Sequence, residues 1–113
     1  VEIKFEEKDG VAVMRVSGRM VFDLNLFLLR TQVRTALEAG TRRFVIDISE
    51  APFIDSSGCG ELISVYTSIT NAGGLLALVK PSPRVRTLLE RIKLTKILMI
   101  FETYKEAEAF VRL

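Results

Sequence analysis

Histidine is absent from the 113 residues, and cysteine occurs once, at Cys59. Without histidine there is no Ser-His-Asp triad, and zinc sites of the usual Cys/His kind are excluded as well. A single cysteine cannot close a disulfide within the chain, which fits a reducing compartment and gives the expectation of a cytoplasmic protein. No G-x-S-x-G elbow, P-loop or G-x-G-x-x-G occurs. The longest apolar runs, Leu75–Val79 and Ile97–Phe101, are five residues each, far too short to cross a bilayer. The N-terminus alternates charged and apolar residues and lacks the basic-then-apolar pattern of a signal peptide. An enzyme would have to use Asp, Glu, Lys, Tyr or Cys groups that the sequence does not cluster. No catalytic residue, metal or cofactor is therefore expected, and Cys59 reads as a small buried apolar residue.

What is present is a globular composition. Hydrophobic residues make up 49% and charged residues 27%, values of a globular chain and not of a disordered one. The length suits one domain over residues 1–113 with a real core. A net charge of +2 is too small to argue for nucleic acid. Residues 80–96 do gather Lys80, Arg84, Arg86, Arg91, Lys93 and Lys96 against Glu90 alone. No aromatic residues interleave with these charges, so the stretch reads as a solvated helix face, with no direct nucleic-acid partner.

Taken in order, Val1, Ile3 and Phe5 alternate with Glu2, Lys4 and Glu6 as in a half-buried strand. Asp9-Gly10 predicts a tight hairpin into an antiparallel strand over Val11–Ser17, which Gly18 ends. A helix is expected from Asn25, with Leu26, Leu29, Val33, Ala36 and Leu37 as its core stripe and Gly40 as its stop. Phe27 and Leu28 fall off that stripe, and the preceding Met20–Leu24 loop, with Val21 and Phe22, is unusually apolar. Phe22, Phe27 and Leu28 are thus either ordinary packing or a surface for self-association. Arg43–Ile48 reads as the central strand, and Leu62, Val65, Tyr66 and Ile69 as the stripe of a second helix ending at Gly73-Gly74. Strands follow at Leu75–Val79 and Ile97–Phe101. Between them Ser82-Pro83 opens a helix, and a Thr103–Glu106 capping box opens the last one. The order β-β-α-β-α-β-α-β-α predicts an α/β fold: a mixed, mainly parallel sheet with an N-terminal antiparallel hairpin and about four helices.

Between the central strand and the second helix stands Pro52-Phe53-Ile54-Asp55-Ser56-Ser57-Gly58-Cys59-Gly60-Glu61-Leu62. Asp and Ser are good N-caps, so by residue type alone Ser56 or Ser57 could simply cap the helix. Gly58 and Gly60 let another backbone or a partner come close. A helix N-terminus also suits an anion, so a hydroxyl there is well sited to become a phosphate.

Phe53 to Gly60 resembles the signature of the STAS domain, as in bacterial anti-sigma factor antagonists. The similarity extends to Gly18, the strand ending Asp47-Ile48 and the Glu102–Val111 segment. One departure is that the family often places an Asp about three residues after the glycine, where this chain has Val21 and reaches Asp23 later. Cys59 stands where the family usually has Leu or another apolar residue.

The resemblance implies a STAS fold with strands in largely sequential order and the main helices on one side. It implies phosphorylation of the residue after the Asp, here Ser56. It also implies a non-catalytic module that binds an anti-sigma factor, a serine kinase with a histidine-kinase-like ATPase fold, and so releases a sigma factor. A PP2C-type phosphatase resets the cycle. Asp55, Ser56, Ser57, Gly58 and Gly60 are then the expected partner-binding residues. Lys80 and Arg84 are expected to join them from the neighbouring loop, since loops after parallel strands share one sheet edge. The alternative that the resemblance leaves open is a STAS scaffold module of a stress-signalling or transport complex. The chain's brevity favours the free-standing antagonist, and the apolar Met20–Leu24 loop favours the scaffold.

Overall fold

Asp9 and Gly10 both take positive φ, 52° and 83°, as a two-residue type I′ turn requires. That turn pairs β1 (Glu2–Lys8) antiparallel with β2 (Val11–Ser17), with Lys8 opposite Val11. The computed structural model covers residues 1–113. Beyond the hairpin the chain is a series of crossovers. The elements are α1 (Phe27–Glu38), β3 (Arg43–Glu50), α2 (Ser56–Asn71), β4 (Leu75–Val79), α3 (Pro83–Arg91), β5 (Met99–Phe101) and α4 (Tyr104–Val111). The five strands lie in sequential order, β1-β2-β3-β4-β5, parallel from β2 onward. The fold is thus the mixed α/β sheet with four helices that the sequence pattern predicts.

Strand alternation sorts β3 between two cores. Phe44, Ile46 and Ile48 face the larger one with Leu29 and Val33 of α1, Leu62, Val65 and Ile69 of α2, and Val85 and Leu89 of α3. Val45 faces the smaller one with Val11, Val13, Ala77, Val79 and α4's Ala107 and Val111. One sheet face therefore carries three helices, and the other carries α4 alone.

Several element boundaries differ from expectation. A one-turn 3-10 segment at Leu24–Leu26 precedes α1, which begins at Phe27 and not at Asn25. Asp23 is the reason: its carboxylate accepts from the Asn25 N–H at 2.7 Å and tightens the turn. That hydrogen bond, first among the causes, lowers the Asp23 pKa. Ile97 and Leu98 are not in β5. Their N–H groups donate to the Leu94 carbonyl at 3.0 and 2.8 Å, closing a turn that Lys93 opens with φ 63°. The Thr103 cap is one-sided, because Thr103 Oγ1 accepts from the Glu106 N–H but meets the Glu106 carboxylate itself, not by way of a backbone return bond.

Glu61 is the one charged residue in the buried set, 3% exposed in the same stripe as Val65 and Ile69. Its carboxylate meets the Arg30 guanidinium of α1, bridging the two helices, while Glu61 Oε2 and Arg30 Nε have no partner. Taking away the cation should leave a buried carboxylate unpaired, a cost of about 1–3 kcal/mol. Arg30→Ala should therefore lower the urea midpoint. Arg30→Met with Glu61→Leu should recover most of it, because replacing a buried pair by apolar groups is often neutral. A double variant no more stable than Arg30→Ala would show that the pair is not the source of the loss.

Candidate functional site

The strands β2 and β3 stop, but their pairing continues. The Gly18 N–H donates to the Glu50 carbonyl at 2.9 Å and the Met20 N–H to the Phe53 carbonyl at 2.9 Å. The Asp55 N–H then donates to the Met20 carbonyl at 3.2 Å, completing a parallel bridge between Met20 and Ile54. Both side chains are buried. This extension carries the chain to the start of α2 and lays the Met20 backbone across its first turn. A Cβ on Gly58 would stand 2.3 Å from the Met20 carbonyl oxygen and 2.6 Å from Ile54 Cγ1. The close approach at Gly58 is thus internal. The residue is buried and gives fit, not contact surface.

Asp55 caps α2. It sits in extended backbone at φ −111°, and its Oδ1 accepts from the Gly58 N–H at 3.0 Å while its carbonyl accepts from Cys59. The capping role open to Ser56 or Ser57 is therefore filled by neither. Ser56, the first helical residue, is exposed, and Ser57 is half-buried. Gly60 is exposed with nothing near its missing side chain. Cys59 is buried, and burial, with the Asp55 carboxylate second, pushes its thiol up. A raised thiol is a poor nucleophile at neutral pH. The surface at this helix end is made by Asp55, Ser56, Ser57 and Gly60, with Gly58 and Cys59 beneath.

Arg84 reaches this region, but through a residue that the motif alone does not single out. Its guanidinium lies 5.1 Å from the Phe53 ring centroid, and that of Arg19 lies 4.8 Å from the same ring. The signal for Arg19 is the strand extension, which sets the residues after Gly18 beside those before Ile54. Lys80 does not join them. It takes φ 56°, its N–H donates to the Phe101 carbonyl, and its side chain lines a separate hollow of about 320 Å³ with Lys4, Arg15, Asp47 and Glu50. The shared sheet edge holds for the loops, but the two cations part to different sides.

Phe22 and Leu24 are 73% and 82% exposed. The Phe22 ring meets Phe27 edge-on at 6.0 Å, and Phe27 and Leu28 also keep exposed area. This apolar patch caps the N-terminal end of α1.

A family model described as the STAS domain matches residues 2–107. A Thermotoga maritima protein provisionally named an anti-sigma factor antagonist is 33% identical over 76 residues, 67% of each chain. An anti-sigma F factor antagonist of Paenibacillus polymyxa is 29% identical over 103 residues, covering 90% of this chain and 87% of that one. A crystal structure from Thermotoga maritima, of a protein with the same provisional description, superposes with a TM-score of 0.88. It is 27% identical and covers 98% of this chain and 95% of that one.

The two signature glycines should respond in opposite ways. Gly58→Ala should cost about 1–3 kcal/mol, since a methyl forced into packed backbone strains its surroundings. Gly60→Ala should gain up to about 1 kcal/mol, because alanine favours a helix and meets nothing here. Urea titrations of both variants check this, and a loss at Gly60 equal to that at Gly58 would refute the packing argument.

Proposed function

The chain belongs to the STAS domain family, and from that premise we propose that it is an anti-sigma factor antagonist switched by phosphorylation of Ser56. The observation that carries the reading is the division of labour at the start of α2. Asp55 satisfies the helix end, so the Ser56 hydroxyl is exposed and has no capping task to lose on modification. In this reading Asp55, Ser56, Ser57 and Gly60 meet the anti-sigma factor, a serine kinase with a histidine-kinase-like ATPase fold, with Arg84 at the rim. Gly58 supports that face from below, and Lys80 is left out of it. The module acts by binding, in the cytoplasm, without catalysis of its own. Binding frees a sigma factor. The kinase transfers phosphate to Ser56, the complex parts, and a PP2C-type phosphatase resets it.

The physics of the switch is a contrast between fold and interface. A phosphoserine brings about −1.5 to −2 charges at neutral pH. At a helix N-terminus that charge is favourable within the domain, by about 0.3–1 kcal/mol for an ordinary anion. At a close-packed interface the same charge must be desolvated beside Asp55, which disfavours the complex.

The exposed Phe22 and Leu24 favour a second reading, a scaffold module that self-associates through Phe22, Phe27 and Leu28. Sedimentation velocity separates the two readings. A concentration-dependent oligomer abolished by Phe22→Ser supports the scaffold, and a monomer at all concentrations removes it.

For the switch, Ser56→Asp should weaken binding to the anti-sigma factor of the source bacterium by about tenfold or more while leaving the melting temperature unchanged or slightly raised. Ser56→Ala should bind as wild type and accept no phosphate. Calorimetric titration and intact-mass analysis measure both, and wild-type affinity in Ser56→Asp would sink the assignment to this residue.

A further inference from the structure

A groove runs between α3 and the loop that leads to Ser56. Its volume is about 400 Å³, with Phe53, Ile54, Val85 and Leu88 on its walls and Arg84 and Arg91 among its lining residues. Arg19 lies on the Phe53 ring from the neighbouring loop. The arginines that form ion pairs in this chain are Arg30, Arg86 and Arg112. Arg19, Arg84 and Arg91 have no carboxylate in reach, although acids make up 14 of the chain's residues.

We infer that this groove docks an acidic segment of the partner protein that carries an apolar anchor, the anchor entering between Phe53 and Leu88 while flanking carboxylates meet Arg84, Arg91 and Arg19. The inference rests on the binding role proposed for the Ser56 face and names the chemistry of what meets it. Three features argue for this occupant. Arg19 and Arg84 each lie over the Phe53 ring, at 4.8 and 5.1 Å from its centroid, and a guanidinium held by such a contact loses less freedom when a carboxylate arrives. Arg84 also occupies the first turn of α3, where the helix dipole already favours an anion and opposes a cation. A groove with apolar walls and a cationic rim matches a segment with an apolar centre and acidic flanks. A nucleic acid fits less well. Phe53, the aromatic residue here, already carries the Arg19 and Arg84 guanidiniums over its ring, and an apolar wall offers nothing to phosphate.

The probes are synthetic peptides titrated into the isotope-labelled chain and followed by amide NMR. The first has a central leucine pair flanked on both sides by aspartates. The second replaces the aspartates by asparagine, the third replaces the leucines by serine, and an oligothymidine serves as the nucleic-acid probe. The acidic leucine peptide should shift the amides of Phe53, Val85 and Leu88, and each control peptide should bind about tenfold more weakly or worse. Arg84→Ala with Arg91→Ala should weaken the first peptide similarly, with the difference shrinking as salt rises. Both residues are exposed, and the same spectra report whether the variant is folded. No shifts in the groove, equal shifts from the asparagine or serine peptide, or tighter binding by oligothymidine would each overturn the inference. The titration involves no anti-sigma factor and is repeated on Ser56→Asp. A failed groove therefore leaves the Ser56 switch standing, and a failed switch leaves the groove measurement intact.

Discussion

The contact between the Met20 carbonyl and the Cβ-less face of Gly58 holds the N-terminal end of α2, the candidate site, together. It exists because pairing goes on past the end of β2, from Gly18 to Glu50 at the end of β3, and then past both strands through Met20–Phe53 to Met20–Asp55. That pairing fixes the height at which α2 begins. With the helix start fixed, Asp55 falls at the cap and Ser56 at the first exposed position. A side chain at residue 58 would lift the Met20 loop or push the helix away, and the cap, the serine and the Arg19–Phe53 stack would move with it. Glycine is thus demanded here by fit alone, since no positive φ is involved.

The fold was legible because its signals are local. Alternation marked β1, an Asp-Gly pair marked the hairpin, Ser82-Pro83 marked the start of α3, and a β-branched run marked β3. The candidate site was legible where a motif places its own residues, as with Asp55, Ser56 and the glycines. It was not legible where the arrangement depends on tertiary pairing. Arg19 and Phe53 lie far apart in sequence, and only the strand extension brings them together. Lys80 was misplaced because a shared sheet edge says nothing about which face a side chain takes, and Lys80 turns with a left-handed backbone. Glu61 keeps helical spacing with Val65 and Ile69, but one carboxylate in an apolar stripe gives no hint of its partner on another helix. Ile97 has the composition of a strand, and the Lys93 turn overrides it.

Packing and exposed chemistry are kept on separate atoms at this helix end. The groups that hold it, Gly58, Cys59, Ile54 and Met20, are buried, while Ser56 and Gly60 are exposed. Surface chemistry can therefore change without repacking what lies below. The Arg30–Glu61 pair ties α1 to the same helix one turn further on, so α2 is anchored both by its N-terminal fit and by a buried carboxylate.

The sheet's two edges are each unattractive to another strand. β1 is lined with Glu2, Lys4, Glu6, Glu7 and Lys8, and β5 is only three residues long. A charged edge repels an incoming strand, and a short one offers too few hydrogen bonds to hold it. Growth of the sheet by strand addition is disfavoured at both edges. What stays open for contact is helix ends, loops and side chains, the parts of the surface that can be released again without unzipping a backbone ladder.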